Sequence, residues 1–412
     1  MKKLGVVSVG RSDFSILEDF LLKLQKNKIN FKIFASTAHF SMEYGRTVDE
    51  ILKLFPKKRV VDVDTKIRVL SNLDLSCSIA EHISLFSKKF KSEKISSLLL
   101  LGDRFETFAA AIAATSLGIE IVHLHGGVVT LGSMDNAFRG AISEMSKYHF
   151  VDNKKAHERL TRKGFKKSEV FFLGSLAVEN FLTSEAISDK VFYKKIFGKN
   201  NSFPFALGTF HPSTKIIEND EQVLKNIIKG VTSKKIHLLF TFPNADINNA
   251  HIIKILRKEA SKNKFLTIKK NLGTSLYYSA IKKSLFMIGN SSSGIIESCA
   301  CKVPAINIGS RQNGRKQFNN VINFLGSSGK YTTLYSVKSF IEANNQTASA
   351  YISPSLKDIK ERFWMGDRFL THQEIKQSIK LCIPKRLRLK MFLIKKRFLL
   401  EVLRLRDLMK QH

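Results

Sequence analysis

The sequence predicts an α/β protein of two doubly wound, Rossmann-like domains with a cleft between them, followed by a basic helical tail. Three observations carry this expectation. Short apolar runs alternate with helical segments along most of the chain, the pattern of a parallel sheet covered on both faces. The alternation breaks around positions 174–201 and then resumes, so two sets of elements are present. The 412 residues suffice for two domains that each bury a core, and 43% hydrophobic with 25% charged residues is a folded composition. The expected boundaries are 1–175, 176–375 and 376–412 for first domain, second domain and tail.

In the first set, Leu4–Val9 reads as a strand, Gly10-Arg11-Ser12-Asp13 as a polar loop, and the segment to about Lys26 as an amphipathic helix. Phe31–Ser36 reads as the next strand, with His39 in the loop after it and a helix near Val48–Leu54. The apolar run Lys94–Leu101 ends in Gly102-Asp103-Arg104, ahead of the Ala-rich segment Phe108–Leu117: strand, sharp turn, helix. Glu120–Leu124 ends in His125-Gly126-Gly127, and Tyr148–Val151 and Val170–Leu173 continue the series. Open parallel sheets hold ligands at the carboxyl ends of their strands, which puts Asp103 and His125 side by side there. Asp135 and Arg139 are four apart and share one face of a helix starting near Asp135. Two carboxylates, an imidazole and an arginine therefore converge on one cleft. Taken singly, the same residues also read as a capping aspartate, a core histidine and a surface ion pair.

A linker is expected at Gly174–Asn180, then a lysine- and asparagine-rich stretch to Asn201. The second set has strands at Phe205–Phe210, Ile236–Phe240, Phe265–Ile268, Leu285–Ile288 and Ala305–Ile308. Their ends carry His211-Pro212-Ser213-Thr214, Pro243-Asn244-Ala245-Asp246, and the run Gly289-Asn290-Ser291-Ser292-Ser293-Gly294-Ile295-Ile296-Glu297. Free N–H groups and hydroxyls at a helix start receive phosphate. Glu297, about one turn in, is placed to accept from sugar hydroxyls. The same residues also read as an ordinary serine cap with a capping-box glutamate. Arg311 and Arg315 follow the next strand and offset the charge of a diphosphate.

The formal charge of +33 suits a phosphorylated ligand, but the lysines are spread along the chain and no nucleic-acid-reading motif occurs, so no nucleic-acid partner is expected. Pro384–His412 interleaves basic and apolar residues, as in a helix lying on an anionic membrane surface, a helix packed on the protein, or a solvated tail. The four cysteines lack disulfide or zinc spacing, and Cys299-x-Cys301 reads as core, so no metal site is expected. Neither a signal peptide nor an apolar run approaching about 18 residues is visible, which suggests a cytoplasmic location. The G-x-G-x-x-G fingerprint is absent, and no nicotinamide or flavin cofactor is expected.

Read together and in order, Gly-Asp-Arg-Phe-Glu, His-Leu-His-Gly-Gly, Phe-His-Pro-Ser-Thr, Phe-Pro-Asn-Ala-Asp, Gly-Asn-Ser-Ser-Ser-Gly-Ile-Ile-Glu and Gly-Ser-Arg-Gln-Asn-Gly-Arg resemble the hydrolysing UDP-N-acetylglucosamine 2-epimerases. These enzymes supply N-acetylmannosamine for sialic-acid-type sugars, and the likeness spans roughly residues 4–370. It implies a glycosyltransferase-B-type fold, with the nucleotide held mainly by the second domain. It implies nucleotide contacts from Arg11, Ser15, Arg104 and Asn244, and diphosphate-side contacts from His211, Ser291 and Ser292, beside Ser293 and Gly294. Glu297 takes the position of a ribose-binding glutamate, and Arg311 that of an arginine near the nucleotide. Asp103, His125 and Asp135 fall at the acid–base positions. The implied chemistry is anti elimination of UDP to a 2-acetamidoglucal, then hydration with protonation of C2 on the opposite face. Two faces need two differently placed acid–base groups. Val128, Asn136 and Gly140 stand where family members carry two carboxylates and an imidazole. The resemblance leaves a related sugar, or binding without turnover, as further readings. The non-hydrolysing 2-epimerase and an anionic-surface-binding protein are the alternatives, and a homo-oligomer is expected by analogy.

Overall fold

Short runs of Val, Ile, Leu and Phe bounded by Gly, Ser and Asn form the strands of this protein, because the central ones are buried on both sides. The computed structural model describes residues 3–324 except 68, 132, 213–219, 245–248 and 316. The expected tail at 376–412 lies outside the described residues, as do positions 325–375 of the expected second domain.

The first sheet contains β1 (Leu4–Ser8), β2 (Phe31–Ser36), β3 (Val60–Val63), β4 (Ser97–Leu101), β5 (Glu120–Leu124), β6 (Tyr148–Val151) and β7 (Val170–Phe172). All pairs are parallel, in the order β3-β2-β1-β4-β5-β6-β7. Its connecting helices are α1 (Arg11–Lys26), α2 (Val48–Leu54), α3 (Asn72–Ser92), α4 (Phe105–Ser116), α5 (Asp135–Met145) and α6 (Lys154–Arg162). Helix α1 buries Phe14, Leu17, Phe20, Leu21 and Leu24, a 3.6-residue stripe, into the core on one face. On the other face the alanines of α4 let it pack closely against the sheet beside Phe86 and Phe90 of α3.

The connection expected at 174–180 is largely helical. Leu176–Thr183 is a helix (α7), started by Ser175, whose side chain accepts from the Val178 N–H. Leu176 packs in a core of the first sheet and Phe181 in a core of the second, so the apolar sequence Leu-Ala-Val is consumed in bridging them. Asn180 adds amide hydrogen bonds to the Ser15 and Ile16 carbonyls, at 3.1 and 2.8 Å.

After α8 (Asp189–Phe197) comes the second unit: β8 (Phe205–Thr209), α9 (Asp220–Thr232), β9 (His237–Thr241), α10 (Asn249–Ala260), β10 (Leu266–Lys269), α11 (Gly273–Lys283), β11 (Met287–Gly289), α12 (Glu297–Ala300), β12 (Ala305–Ile308) and β13 (Val321–Phe324). Its sheet is also parallel, ordered β10-β9-β8-β11-β12-β13. Each sheet reverses its winding once, at β1/β4 and at β8/β11. The strand ends at these two switch points face each other across the cleft, the glycosyltransferase-B-type arrangement. Among the described residues no helix is long and apolar enough to cross a membrane.

Candidate active site

At the end of β4 the chain turns through Gly102 and presents Asp103. His123, inside β5, props that turn: its Nε2–H donates to the Gly102 carbonyl at 2.8 Å, and its Nδ1 accepts from the Ser143 hydroxyl at 3.1 Å. The first histidine of His-x-His is therefore structural and the second, His125, lines the cleft. His125 sits at φ +61°, and its Nε2 is buried with no hydrogen-bond partner among the described residues. Burial pushes its pKa down, and Asp152 is the first of the charges working against that shift. Its imidazole is therefore neutral near pH 7. The glycines after it are forced by contact. A Cβ on Gly126 would lie 2.9 Å from His123 Nδ1, and one on Gly127 would lie 2.8 Å from the Ala156 carbonyl.

Helix α5 begins at Asp135, as its sequence predicts, but Arg139 takes Asp103 rather than Asp135 as its carboxylate. The Arg139 guanidinium is buried, pairs with Asp103, and donates to the Val128 carbonyl at 3.0 Å and the Thr130 hydroxyl at 3.3 Å. Asp135 accepts from the Ser133 hydroxyl at 2.7 Å. Asn136 uses its side-chain oxygen to hold the Thr130 N–H at 2.9 Å, so it fixes the loop over the cleft floor. Arg104 pairs through Nε with Glu106 at 3.2 Å.

The opposite wall belongs to the second unit. Gly289, at φ +134°, would put a Cβ 1.9 Å from the Thr209 carbonyl, so only glycine lets the end of β11 lie against β8. That approach positions Asn290, which ties the site loops together. Its side chain accepts from His211 N–H at 2.7 Å and donates to His211 C=O at 2.8 Å, while its carbonyl accepts from Gln312 at 2.8 Å. Ser291 caps a single 3-10 turn, Ser292–Gly294, and α12 starts only at Glu297. Glu297 opens α12 about one turn beyond the serines, and Ile295 and Ile296 connect the two turns through hydrogen bonds back to the Ser292 carbonyl. Arg11 crosses from the first unit and donates to the Lys270 carbonyl at 3.1 Å and Asn271 Oδ1 at 3.3 Å.

One cleft, open to solvent, is lined by Asp103, His125, Asp135 and Arg139 on one side and by His211, Asn244, Ser291, Ser292, Ser293 and Glu297 on the other. Arg11, Ser15, Arg104, Arg311 and Arg315 also line it. Gly294 does not; it lies behind the serines, with Ala305 the nearest atom to a Cβ placed on it. Burial pushes the Arg315 guanidinium down to about 10, with Arg139 adding to the shift and Asp103 and Asp152 opposing it. Asp13, Asp152 and Tyr277 line the cleft as well and were not among the expected site residues. Asp13 and Asp152 follow the ends of β1 and β6, so the strand-end rule that selects Asp103 also points to them.

A family model described as UDP-N-acetylglucosamine 2-epimerase matches residues 22–352. The chain is 35% identical over 329 residues to the GDP/UDP-N,N'-diacetylbacillosamine 2-epimerase (hydrolyzing) of Campylobacter jejuni, covering 78% of this chain and 84% of that protein. It is 30% identical over 326 residues to polysialic acid biosynthesis protein P7 of Escherichia coli, covering 78% and 82% respectively. The fold is shared with the crystal structure of the Methanocaldococcus jannaschii UDP-GlcNAc 2-epimerase in complex with UDP-GlcNAc and UDP. There the TM-score is 0.68 at 19% identity, over 87% of this chain and 98% of that one. The chain belongs to the UDP-N-acetylglucosamine 2-epimerase family, as an enzyme of the hydrolysing UDP-sugar 2-epimerase type.

Proposed function

We propose that this enzyme converts a UDP-2-acetamido sugar to UDP and the free C2-epimer, through elimination to the glucal and hydration on the opposite face. The observation carrying this is the facing of two walls: acid–base side chains at the ends of β4 and β5, and the Ser291–Ser293 turn with His211 at the ends of β11 and β8. In this reading the serine hydroxyls, His211 and the arginines hold the diphosphate, so charge leaving C1 arrives where donors are already placed. Glu297 takes the ribose, and Asp103, His125 and Asp135 exchange protons at C2.

UDP-N-acetylglucosamine, giving N-acetylmannosamine for a sialic-acid-type surface glycan, is the reading that follows the sequence motifs. A second reading, UDP-N,N'-diacetylbacillosamine, is favoured by the name of the Campylobacter jejuni relative and by the cleft itself. Val128 adds an apolar side chain to the cleft lining. An apolar side chain in place of a charged one suits a sugar with a deoxy carbon. The cytoplasmic location and homo-oligomeric state remain part of this proposal.

Incubation with each nucleotide sugar in deuterated water, followed by proton NMR, tests it. Free UDP and a C2-deuterated epimer are expected, with the preferred substrate showing the higher kcat/KM. An epimer still attached to UDP would assign the non-hydrolysing reaction instead. Unchanged substrate in both incubations, with UDP bound, would defeat the catalytic reading.

A further inference from the structure

We propose that Asp13 is a further acid–base residue of the cleft, giving its proton to the departing diphosphate oxygen and recovering one from the water that adds at C1. This rests on the epimerase reading above. Asp13 stands in the first turn of α1, directly after β1 and beside β4, at the switch point of the first sheet. It lines the same cleft as Asp103, His211 and Ser291. Its carboxyl lies within electrostatic reach of Arg104, Glu106 and Asp103. The Ser12 hydroxyl reaches it only at 3.4 Å. Asp103 has its own guanidinium in Arg139, and Glu106 takes Arg104 Nε, so Asp13 is the third carboxyl of a cluster already supplied with cation pairs.

A carboxylate placed there would repel a diphosphate, whereas a carboxylic acid donates to it. Burial pushes the Asp13 pKa up to about 7, with Glu106 and Asp103 adding to the rise and Arg104 opposing it. The acid form is therefore populated near neutrality.

In the elimination a base takes the C2 proton and the C–H electron pair becomes the C1=C2 bond. The C1–O pair leaves with the β-phosphate oxygen, which takes the Asp13 proton. In the hydration an acid on the other face protonates C2 and the water oxygen bonds to C1. The surplus water proton returns to Asp13. One water is consumed, the base's gained proton balances the acid's lost one through solvent, and UDP sheds its proton to bulk.

Asp13→Asn keeps the shape and a hydrogen-bond donor but has no proton to transfer. Its kcat is expected to fall by about 10²-fold or more, with UDP binding no weaker. Wild-type kcat should decline above pH 7 as Asp13 ionises, and this limb should be missing from the residual Asp13→Asn activity and partly restored in Asp13→Glu. Wild-type turnover with an Asp13→Asn kcat within twofold, or with the alkaline limb unchanged, overturns the role of Asp13 alone. Absence of wild-type turnover overturns the epimerase reading on which it rests. If Asp13→Asn does not fold, calorimetry of UDP binding to the wild type at pH 8 decides. Measured in two buffers of different ionisation enthalpy, it should show about one proton taken up, and no uptake rejects the proposal.

Discussion

Asp103→Asn is expected to lower UDP release by about 10²–10⁴-fold, the range for loss of a positioned acid–base group, while UDP still binds. The carboxylate is held toward the cleft by Arg139, whose side chain is only 4% exposed and which is itself anchored on the Val128 carbonyl and the Thr130 hydroxyl. Substitution therefore has a second consequence. Removing the counter-charge of a buried guanidinium costs about 3–5 kcal/mol in general. The amide oxygen of asparagine still accepts from Arg139, which puts the expected loss at the low end. Asp135→Asn separates the two effects. Asp135 accepts from the Ser133 hydroxyl at a helix start, where its charge contributes about 0.3–1 kcal/mol against the helix dipole. Asp135→Asn should match Asp103→Asn in lost turnover but lower the melting temperature less, because Arg139 keeps its carboxylate. A UDP-release assay, UDP calorimetry and thermal unfolding on both variants supply the comparison. Full activity in both would sink the acid–base assignment.

How much of this was legible beforehand varies from element to element, for physical reasons. Strands β2, β5, β6 and β12 have the bounds their apolar runs suggest, because strands buried on both faces leave no polar position to blur the ends. The convergence of Asp103 and His125 followed from adjacency of β4 and β5, which needs only two consecutive βα units. Helix α3 went unassigned, although Ser71 accepts from the Asp74 N–H and Asp74 returns bonds to the Leu70 N–H and the Ser71 hydroxyl. That reciprocal cap is a local signal, overlooked in a segment whose exposed face is rich in lysine and serine. Strands β3 and β13 are only four residues each, too short for a periodicity. The helical form of the connection at α7 is not visible locally, because its Gly-Ser start reads as open chain and its burial depends on two sheets that no local window contains. The Arg139–Asp103 pair was hidden for the same reason. Its partners are 36 residues apart and meet only once α5 crosses the end of β4.

Stability should fall by about 2 kcal/mol between pH 7.5 and pH 5.5, through a contest between buried histidines and Asp13. Burial pushes His39 and His123 down to about 3 and His149 to about 4, from 6.5. A depressed histidine pKa means the unfolded chain binds the proton more tightly. The stability tied to these rings is thus full above 6.5 and is lost as pH falls toward their folded values. At pH 5.5 each has forfeited about 1.4 kcal/mol, about 4 kcal/mol for the three. Asp13 has the opposite sign. Its folded pKa, raised from 3.8 to about 7, makes the folded state the better proton binder, so stability grows as pH drops below 7. That returns about 2 kcal/mol at pH 5.5. Urea denaturation at the two pH values measures the net. The Asp13→Asn variant should lose about twice as much as the wild type over the same interval, because the offsetting titration of Asp13 is gone, while His149→Phe should lose less. Equal losses in the wild type and Asp13→Asn would mean that Asp13 carries no proton at pH 5.5, and its carboxyl would then be an ordinary ionised aspartate.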